Sequence, residues 1–230
     1  MAIKLYDLAG AETDRRFSPY CWRARMALAH KGLEVETIPW RFAEKDAIAF
    51  SGQGRVPVLI DGDKTVSDSW AIAGYLEQAY PDRPSLFGGA AGHALARFIN
   101  GWADAVVLPG IAGLIVADVC AHLHEKDRDY FRTSREHRLG RTLEAVCADR
   151  DVRVGAFRQS LQPLRMTLAA QPWLGGDAPQ YADYIVFGCL QWARCTSPFR
   201  LLEKDDPVAT WRGRLLDAFD RLAGKAPGYM

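Results

Sequence analysis

The periodicity of apolar residues changes once along this chain, and that change constrains the fold more than any other feature. Up to Tyr80, short alternating segments typical of β-strands are interspersed with segments of helical spacing. A segment rich in proline, glycine and small residues follows at 81–92, as in a linker. Beyond it only helical spacing remains. The sequence therefore predicts a small α/β domain joined to an all-helical domain.

The first domain is predicted to begin with a strand and a helix. Ile3 and Leu5 alternate with Lys4 and Tyr6, which is the pattern of a short, half-buried strand. A helix should follow at Ser18, because serine is a favoured cap and proline, as in Ser18-Pro19, suits the first helical position. Gly32 is placed to end this helix.

A second strand, a hairpin and a second helix are predicted to complete this domain. The strand is expected over 34–39, and the Asp61-Gly62 step between two apolar segments predicts the hairpin turn. Asp68 or Ser67 can cap the helix, and Pro81 should end it. This order of elements resembles that of thioredoxin-like domains.

The second domain is predicted from helical stripes alone. Pro109 is expected to kink or end the first of them, and the segment from Ile185 to Trp192 is apolar nearly all round, as in a buried central helix. The stripes are Leu95, Phe98, Ile99, Trp102 and Val106; Leu139, Leu143 and Val146; Val154, Phe157, Leu161, Leu164 and Leu168; and Val208, Trp211, Leu215 and Leu222. We place the domain boundaries at 1–82, 83–92 for the linker, and 93–230.

Composition argues against several classes of partner. The formal net charge is +1 with basic residues spread along the chain, which gives no reason to expect nucleic acid or an anionic membrane. The N-terminus lacks the apolar core of a signal peptide, and no window approaches the ~20 apolar residues that span a bilayer. Five scattered cysteines without C-x-x-C spacing are typical of reduced thiols and disfavour a zinc site. We therefore expect a cytoplasmic protein that binds a small ligand and no metal.

The segment Ser18-Pro19-Tyr20-Cys21 lies where thioredoxin-like proteins carry C-x-x-C, between the first strand and the first helix. A serine in the first position cannot form a disulfide, which disfavours dithiol redox chemistry. The helix N-terminus still favours an anion such as a thiolate. Ser18 could donate a hydrogen bond to a bound thiol and lower its pKa. Taken alone, however, Ser18 is better explained as an ordinary helix cap.

Two further features are weak signals individually. Pro57 opens a strand after a glycine-containing loop, so a cis bond there would present the backbone of Val56 to a ligand. Asp68 and Ser69 stand at a helix start, where they could surround the ammonium and carboxylate groups of an amino acid. The ordinary alternative for this pair is a routine helix cap.

Together, in this order and spacing, these residues closely resemble the glutathione S-transferase superfamily along essentially the full chain. The resemblance implies a thioredoxin-like domain, an all-helical domain, glutathione as co-substrate and a homodimer. It implies that Ser18 assists the glutathione thiolate, that Val56 and cis-Pro57 bind the cysteinyl part, and that Asp68 and Ser69 bind the γ-glutamyl part. Arg41 and Gln53 are candidates for the glycyl end. The resemblance further implies that Asp183 caps a buried helix.

The electrophile pocket is expected between the two domains. Lining residues would come from the first loop, ending at Phe17, and from the first long helix, with Ile99, Trp102 and Val106. The electrophile would be small and hydrophobic, and the tryptophans of the chain suit an aromatic one.

A finer resemblance concerns the segments Phe17 to Arg23, Arg55 to Val58 and Asp68 to Ala73. They look like those of bacterial β-etherases and related fungal Ser-type transferases, which implies glutathione-dependent cleavage of a β-aryl ether. Two alternatives stay open. One is a glutathione-dependent thiol oxidoreductase that uses Cys21, and the other is a non-catalytic interaction module on the same fold.

Overall fold

The computed structural model describes residues 2–229, and its N-terminal part is built on a mixed sheet. Within these residues the strand order is β2-β1-β3-β4, with β1 and β2 parallel and the other neighbours antiparallel. The strands are β1 (Ile3–Leu8), β2 (Val35–Trp40), β3 (Val58–Asp61) and β4 (Lys64–Ser67). The predicted hairpin is confirmed, and Gly62 in its turn has a φ of 59°, a conformation that suits glycine.

Helix α1 (Pro19–His30) connects the parallel strands, and α2 (Ser69–Ala79) follows the hairpin. A short 3-10 helix, Lys45–Ser51, lies between β2 and β3. The rest of the chain is mostly helical, so the predicted fold class is confirmed. Its helices are α3 (Ala90–Trp102), α4 (Leu108–Ala121), α5 (Glu125–Leu139), α6 (Leu143–Cys147), α7 (Arg150–Ser160), α8 (Gln162–Ala170), α9 (Tyr181–Thr196) and α10 (Pro207–Arg221).

Helix α9 is the buried centre of the helical part, as its apolar sequence predicted. It packs directly on α1, and Gly188 permits the close approach, since a Cβ there would lie 2.4 Å from the carbonyl oxygen of Pro19. The hydroxyl of Tyr181 donates to the carbonyl oxygen of Ser69 at 2.7 Å. Helix α9 therefore supports the N-terminal ends of both α1 and α2.

The start of α9 is held by Asp183, as expected. Gln180 and Asp183 form a capping box, and Asp183 also accepts hydrogen bonds from the backbone N–H groups of Leu174 and Gly175. The indole N–H of Trp211 donates to the same carboxylate at 2.8 Å. This buried carboxylate thus joins α9 to α10 and to the preceding loop.

Pro109 does not end its helix, and the expectation that no window approaches the ~20 apolar residues that span a bilayer was wrong. A π-helical turn, Ala103–Val107, joins α3 to α4 and gives a continuous helix of 32 residues, Ala90–Ala121. The wider π turn contains Ala105, whose carbonyl would otherwise meet the proline ring. By length and composition this helix could cross a membrane, with a mean hydropathy of 1.9 over 18 residues, of which 44% are buried within the protein. A partly buried core helix passes the same test, and the absence of a membrane stays a prediction.

Other predicted helices differ in their limits. Helix α3 begins at Ala90, inside the predicted linker 83–92. The stripe through Leu139 and Val146 is divided at Gly140, where φ is 67° and the helix ends. The stripe through Leu161 is likewise divided there into α7 and α8. The charge-dense segment 128–141 is largely the solvated helix α5.

The outward side of α3 carries part of the predicted apolar stripe. Leu95 and Phe98, which belong to that stripe, are 69% and 73% exposed. Ala96, Ala103 and Val107 form the buried side. Periodicity identified the helix correctly, but it does not say which of two apolar sides faces the core.

Candidate active site

The sheet brings the predicted glutathione-binding segments to one end of the first domain. Strand β1 runs toward Ser18, and Val58 at the start of β3 pairs with Tyr6 near that end of β1. Ser67 at the end of β4 pairs with Val58 in turn. Since Asp68 follows directly and caps α2, the N-terminal ends of α1 and α2 lie at the same edge. Two helix N-termini at one site favour negatively charged groups.

Ser18 caps α1 through its side-chain oxygen, and its hydroxyl can also donate a hydrogen bond. Its backbone is extended, and its Oγ accepts a hydrogen bond from the backbone N–H of Cys21 at 3.3 Å. The residue is only 4% exposed. A serine hydroxyl can accept and donate at once, so the cap leaves its proton free to stabilise an anion.

Cys21 has the environment of a structural cysteine. It is fully buried, and burial raises the pKa of its thiol well above the usual range. The neighbouring carboxylate of Asp7 raises that pKa further. A reactive thiolate needs exposure and a lowered pKa. The geometry therefore argues against the oxidoreductase alternative that uses Cys21.

The loop that carries Ser18 rests on a buried ionic cluster behind Cys21. Asp7 is buried on β1, and its Oδ2 lies 3.4 Å from Arg25 and 3.7 Å from Arg16. Burial raises the pKa of Asp7, against the lowering effect of both arginines. Arg16 also donates to the carbonyl oxygen of Thr13. This cluster fixes the position of the loop before α1.

The segment Val56-Pro57 adjoins Asp68. The Val56–Pro57 peptide bond is cis, and the backbone N–H of Asp68 donates to the carbonyl oxygen of Pro57 at 3.3 Å. Ser69 is buried beside them. The four residues that were predicted to bind the cysteinyl and γ-glutamyl parts of glutathione are therefore contiguous in space.

Asp68 is exposed, and only one of its two carboxylate oxygens caps the helix. Its Oδ1 accepts hydrogen bonds from the backbone N–H groups of Trp70 and Ala71 at 2.8 and 3.1 Å. Its φ of 80° is rare for a residue other than glycine. Strained backbone of this kind clusters at functional sites.

The two candidates for the glycyl end lie in different places. Gln53 lies beside the site, where its side chain bonds the backbone of Arg55 and contacts Ser67 Oγ at 3.3 Å. Arg41 instead donates to the carbonyl oxygen of Gly10 at 3.1 Å and forms an ion pair with Glu44. The structure thus gives Arg41 a role in bracing the first loop.

Arg55 was missed by the sequence analysis. It is exposed, directly precedes the cis bond, and is positioned by Gln53. A cationic side chain directly before Val56 is the sequence feature that could have indicated Arg55 as a candidate.

The contact between the domains near α1 is polar. Arg23 is completely buried, and its guanidinium donates to Asp104 Oδ1 at 2.8 Å and to Asn100 Oδ1 at 3.2 Å. The ring of half-buried Tyr20 lies against the same guanidinium, 4.7 Å from its carbon. Burial, followed by the nearby charge of Asp104, raises the pKa of Tyr20. No role was predicted for Asn100 and Asp104, although their i,i+4 spacing on an apolar helix indicates a polar contact.

The residues predicted to line the electrophile pocket do not form one group. Phe17 is buried in the core, whereas Val106 is exposed. Ile99 and Trp102 are half-buried. Both pack against the hydrophobic core. Nothing in the structure tests a role for them in substrate binding.

No group of three or more histidine, cysteine, aspartate or glutamate side chains among residues 2–229 is placed to hold a metal ion. All five cysteines are free and buried.

Residues 13–84 match the family model of the glutathione S-transferase N-terminal domain, and residues 94–222 match that of the C-terminal domain. Glutathione S-transferase Z1 of Arabidopsis thaliana is 36% identical over 109 residues, which are 45% of this chain and 48% of that protein. The match thus spans about half or less of the length of the first curated relatives. Glutathione S-transferase 4 of Zea mays is 26% identical over 91% of this chain and 86% of its own.

Solved structures resemble the whole chain. A glutathione S-transferase of Ceriporiopsis subvermispora in complex with glutathione has a TM-score of 0.84 and 25% identity, covering 96% of this chain and 97% of that one. A glutathione transferase of Phanerochaete chrysosporium has the same TM-score and coverage with 26% identity. Since the C-terminal family model alone matches more than half of the residues, the chain belongs to the glutathione S-transferase family.

Proposed function

We propose that this protein is a glutathione-dependent transferase whose Ser18 stabilises the glutathione thiolate for attack on a hydrophobic, aromatic electrophile. The observation that carries the proposal is the convergence of Ser18, cis-Pro57 and Asp68 at one end of the sheet, beside two helix N-termini. Family membership supports the same co-substrate. A module that does not bind glutathione would have no evident need for all three features.

The thiol would lie at the start of α1. Ser18 donates its hydroxyl proton to the sulfur while its Oγ keeps the Cys21 N–H satisfied. The hydroxyl is too weak a base to remove the thiol proton, so its effect is to stabilise the anion. A hydrogen bond to a charged group contributes about 1.5–3 kcal/mol, which is enough to make the thiolate a substantial fraction at neutral pH.

The peptide part of glutathione would extend from Ser18 toward α2. The backbone of Val56 binds the cysteinyl residue, and the free Oδ2 of Asp68 accepts from the γ-glutamyl ammonium. Ser69 and the N-terminus of α2 bind the γ-glutamyl carboxylate. Arg55, positioned by Gln53, is better placed than Arg41 to bind the glycyl carboxylate.

The electrophile would enter between the domains beside Tyr20, whose half-buried ring offers an aromatic surface. The finer proposal is cleavage of a β-aryl ether. In that step a carbon–sulfur bond forms, the carbon–oxygen bond breaks, and a phenolate leaves and takes a proton from solvent. The segments Phe17 to Arg23 and Asp68 to Ala73 support this choice.

We further propose a cytoplasmic homodimer. The exposed side chains of Leu95 and Phe98 on α3 form an apolar surface that a second copy of the chain would cover. Five buried free thiols are consistent with a reducing compartment.

A substrate panel with matched capping variants tests the proposal. Wild type, Ser18→Ala and Thr142→Ala are assayed with glutathione and an activated aryl chloride, and with a β-aryl ether that releases a fluorescent phenol. Thr142 is the matched control because it caps α6 with the same kind of bond, to the N–H of Ala145 at 3.2 Å. We expect kcat/KM of Ser18→Ala to fall about 10–100-fold, with Thr142→Ala unchanged.

If Ser18→Ala and Thr142→Ala lowered kcat/KM by the same small factor, Ser18 would act only as a helix cap. That result would contradict the proposal. Conjugation of the aryl chloride without phenol release from the ether would remove the β-etherase assignment alone. Failure to bind immobilised glutathione would remove the transferase assignment as well.

A further inference from the structure

A cavity of about 240 Å³ lies in the helical domain, apart from the candidate active site. Its walls come from the C-terminal end of α9, the loop 197–204, the first turns of α10 and Tyr229. No lining residue belongs to the first domain. The cavity is therefore independent of glutathione binding.

The charges around this cavity are unbalanced. Four basic side chains line it, namely Arg194, Arg200, Lys204 and Arg212. The single acidic side chain of the lining, Glu203, is paired with Arg158, which lies outside it. The local field therefore favours a negatively charged ligand.

Arg212 is the centre of this imbalance. Among residues 2–229 it has no hydrogen-bond or ionic partner, and its Nε is a buried nitrogen without an acceptor. Burial lowers the pKa of Arg212, and the charge of Arg194 lowers it further. In the described part of the chain, Arg194 donates to the backbone carbonyls of Ala223, Gly224 and Ala226 and to no side chain. Within residues 2–229, these two neighbouring guanidinium groups thus have no carboxylate partner.

Two other partly buried arginines of the helical domain are each paired with a carboxylate. Arg165 is paired with both oxygens of Asp206, and Arg150 contacts Asp118 at 2.6 Å. Removing a guanidinium from water without an anionic partner is costly. Arg165 and Arg150 each have an acidic partner, whereas Arg212 adjoins the cavity.

Apart from Ser197 and Tyr229, the remaining lining is apolar, with Phe199, Leu201, Leu202 and Ala209 among its residues. This composition suits an anion that carries a hydrocarbon body better than a fully hydrated inorganic ion. The volume is below the roughly 300–1,000 Å³ of pockets for drug-sized ligands, so the ligand must be compact.

We propose that this cavity binds a small organic carboxylate, whose charge Arg212 neutralises and whose hydrocarbon part packs on Phe199, Leu201 and Leu202. The planar guanidinium is the group best matched to a carboxylate. The site is separate from the one that would hold glutathione and the electrophile.

The test is calorimetric titration with benzoate while the Ser18 site is saturated with S-hexylglutathione. Benzamide serves as the neutral isostere, and inorganic phosphate as the anion without a hydrocarbon part. Arg212→Gln removes the charge, and Arg214→Gln is the matched control. Arg214 lies on the same helix but is exposed, outside the cavity, and donates to the carbonyl oxygen of Pro172.

We expect one benzoate per chain, binding at least about tenfold weaker in Arg212→Gln and unchanged in Arg214→Gln. Backbone amide chemical shifts of the wild type should move in 197–204 and 209–212, which tests the location even if Arg212→Gln does not fold. Absence of benzoate binding, equal binding of benzamide, or equally tight phosphate would overturn the proposal. So would shift changes confined to the surroundings of Ser18.

Discussion

Polar side chains cap the helices that begin at the candidate active site, and a polar side chain also caps α9. The two sets of caps differ in how much of their hydrogen-bonding capacity the protein itself uses. At α9 the carboxylate of Asp183 is buried, and its two oxygens accept four hydrogen bonds. The donors are the backbone N–H groups of Leu174, Gly175 and Gln180 and the indole of Trp211. The carboxylate of Asp183 therefore has no hydrogen-bonding capacity left for a ligand.

At the candidate active site the caps are incomplete. Ser18 accepts one hydrogen bond and keeps its own proton, and Asp68 receives both of its bonds on a single oxygen. A saturated cap stabilises the fold, whereas an unsaturated one can also bind a ligand. The difference separates structural from functional polar residues where residue type alone does not.

Asp183→Ala should give the largest effect on stability. It leaves four buried donors without an acceptor, so the free energy of unfolding should fall by on the order of 4 kcal/mol, measured by urea denaturation. The pKa of the glutathione thiol, measured in complex with the folded fraction of this variant, should not change. A loss below about 1 kcal/mol would show that Asp183 is not the structural cap described above.

Asp68→Asn should separate capping from binding. Asparagine keeps Oδ1 for the N–H groups of Trp70 and Ala71 and tolerates positive φ. Stability should therefore change little, while glutathione should bind about tenfold more weakly because Oδ2 and its charge are lost. Calorimetric titration measures the affinity, and thermal unfolding controls for the cap. Unchanged affinity would remove Asp68 from the binding site.

Cys21→Ala should have the smallest effect on function. The buried thiol contributes packing, so we expect a loss of about 1 kcal/mol in stability and transferase activity close to that of the wild type. The thiol oxidoreductase alternative predicts the reverse: lost disulfide reduction in Cys21→Ala and a mild effect of Ser18→Ala. Assays of both activities in both variants distinguish the two.

The local sequence predicted the elements that hold the candidate site. Ser18-Pro19 gave the start of α1, Asp61-Gly62 gave the hairpin, and Asp68 gave the cap of α2. Each rests on a short-range preference of the backbone, which a single sequence records directly. The cis bond before Pro57 was expected only through the family resemblance, since most such bonds are trans.

The contact between the domains was less accessible to sequence reasoning. Arg23 is fully buried, and a buried arginine has no sequence signature because its partners, Asn100 and Asp104, lie far along the chain. Leu95 and Phe98 on the exposed side of α3 belong to the same predicted apolar stripe as half-buried residues such as Ile99. Sequence periodicity records which residues share a side of a helix, but not what that side faces.

The most direct test of the incomplete cap at Ser18 is the pKa of the glutathione thiol in its complex with the protein. The ultraviolet absorbance of the thiolate is titrated against pH for wild type, Ser18→Ala and Thr142→Ala. We predict that Ser18→Ala raises this pKa by about 1–2 units, while Thr142→Ala leaves it unchanged. An unchanged thiol pKa in a folded, glutathione-binding Ser18→Ala variant would contradict the central claim.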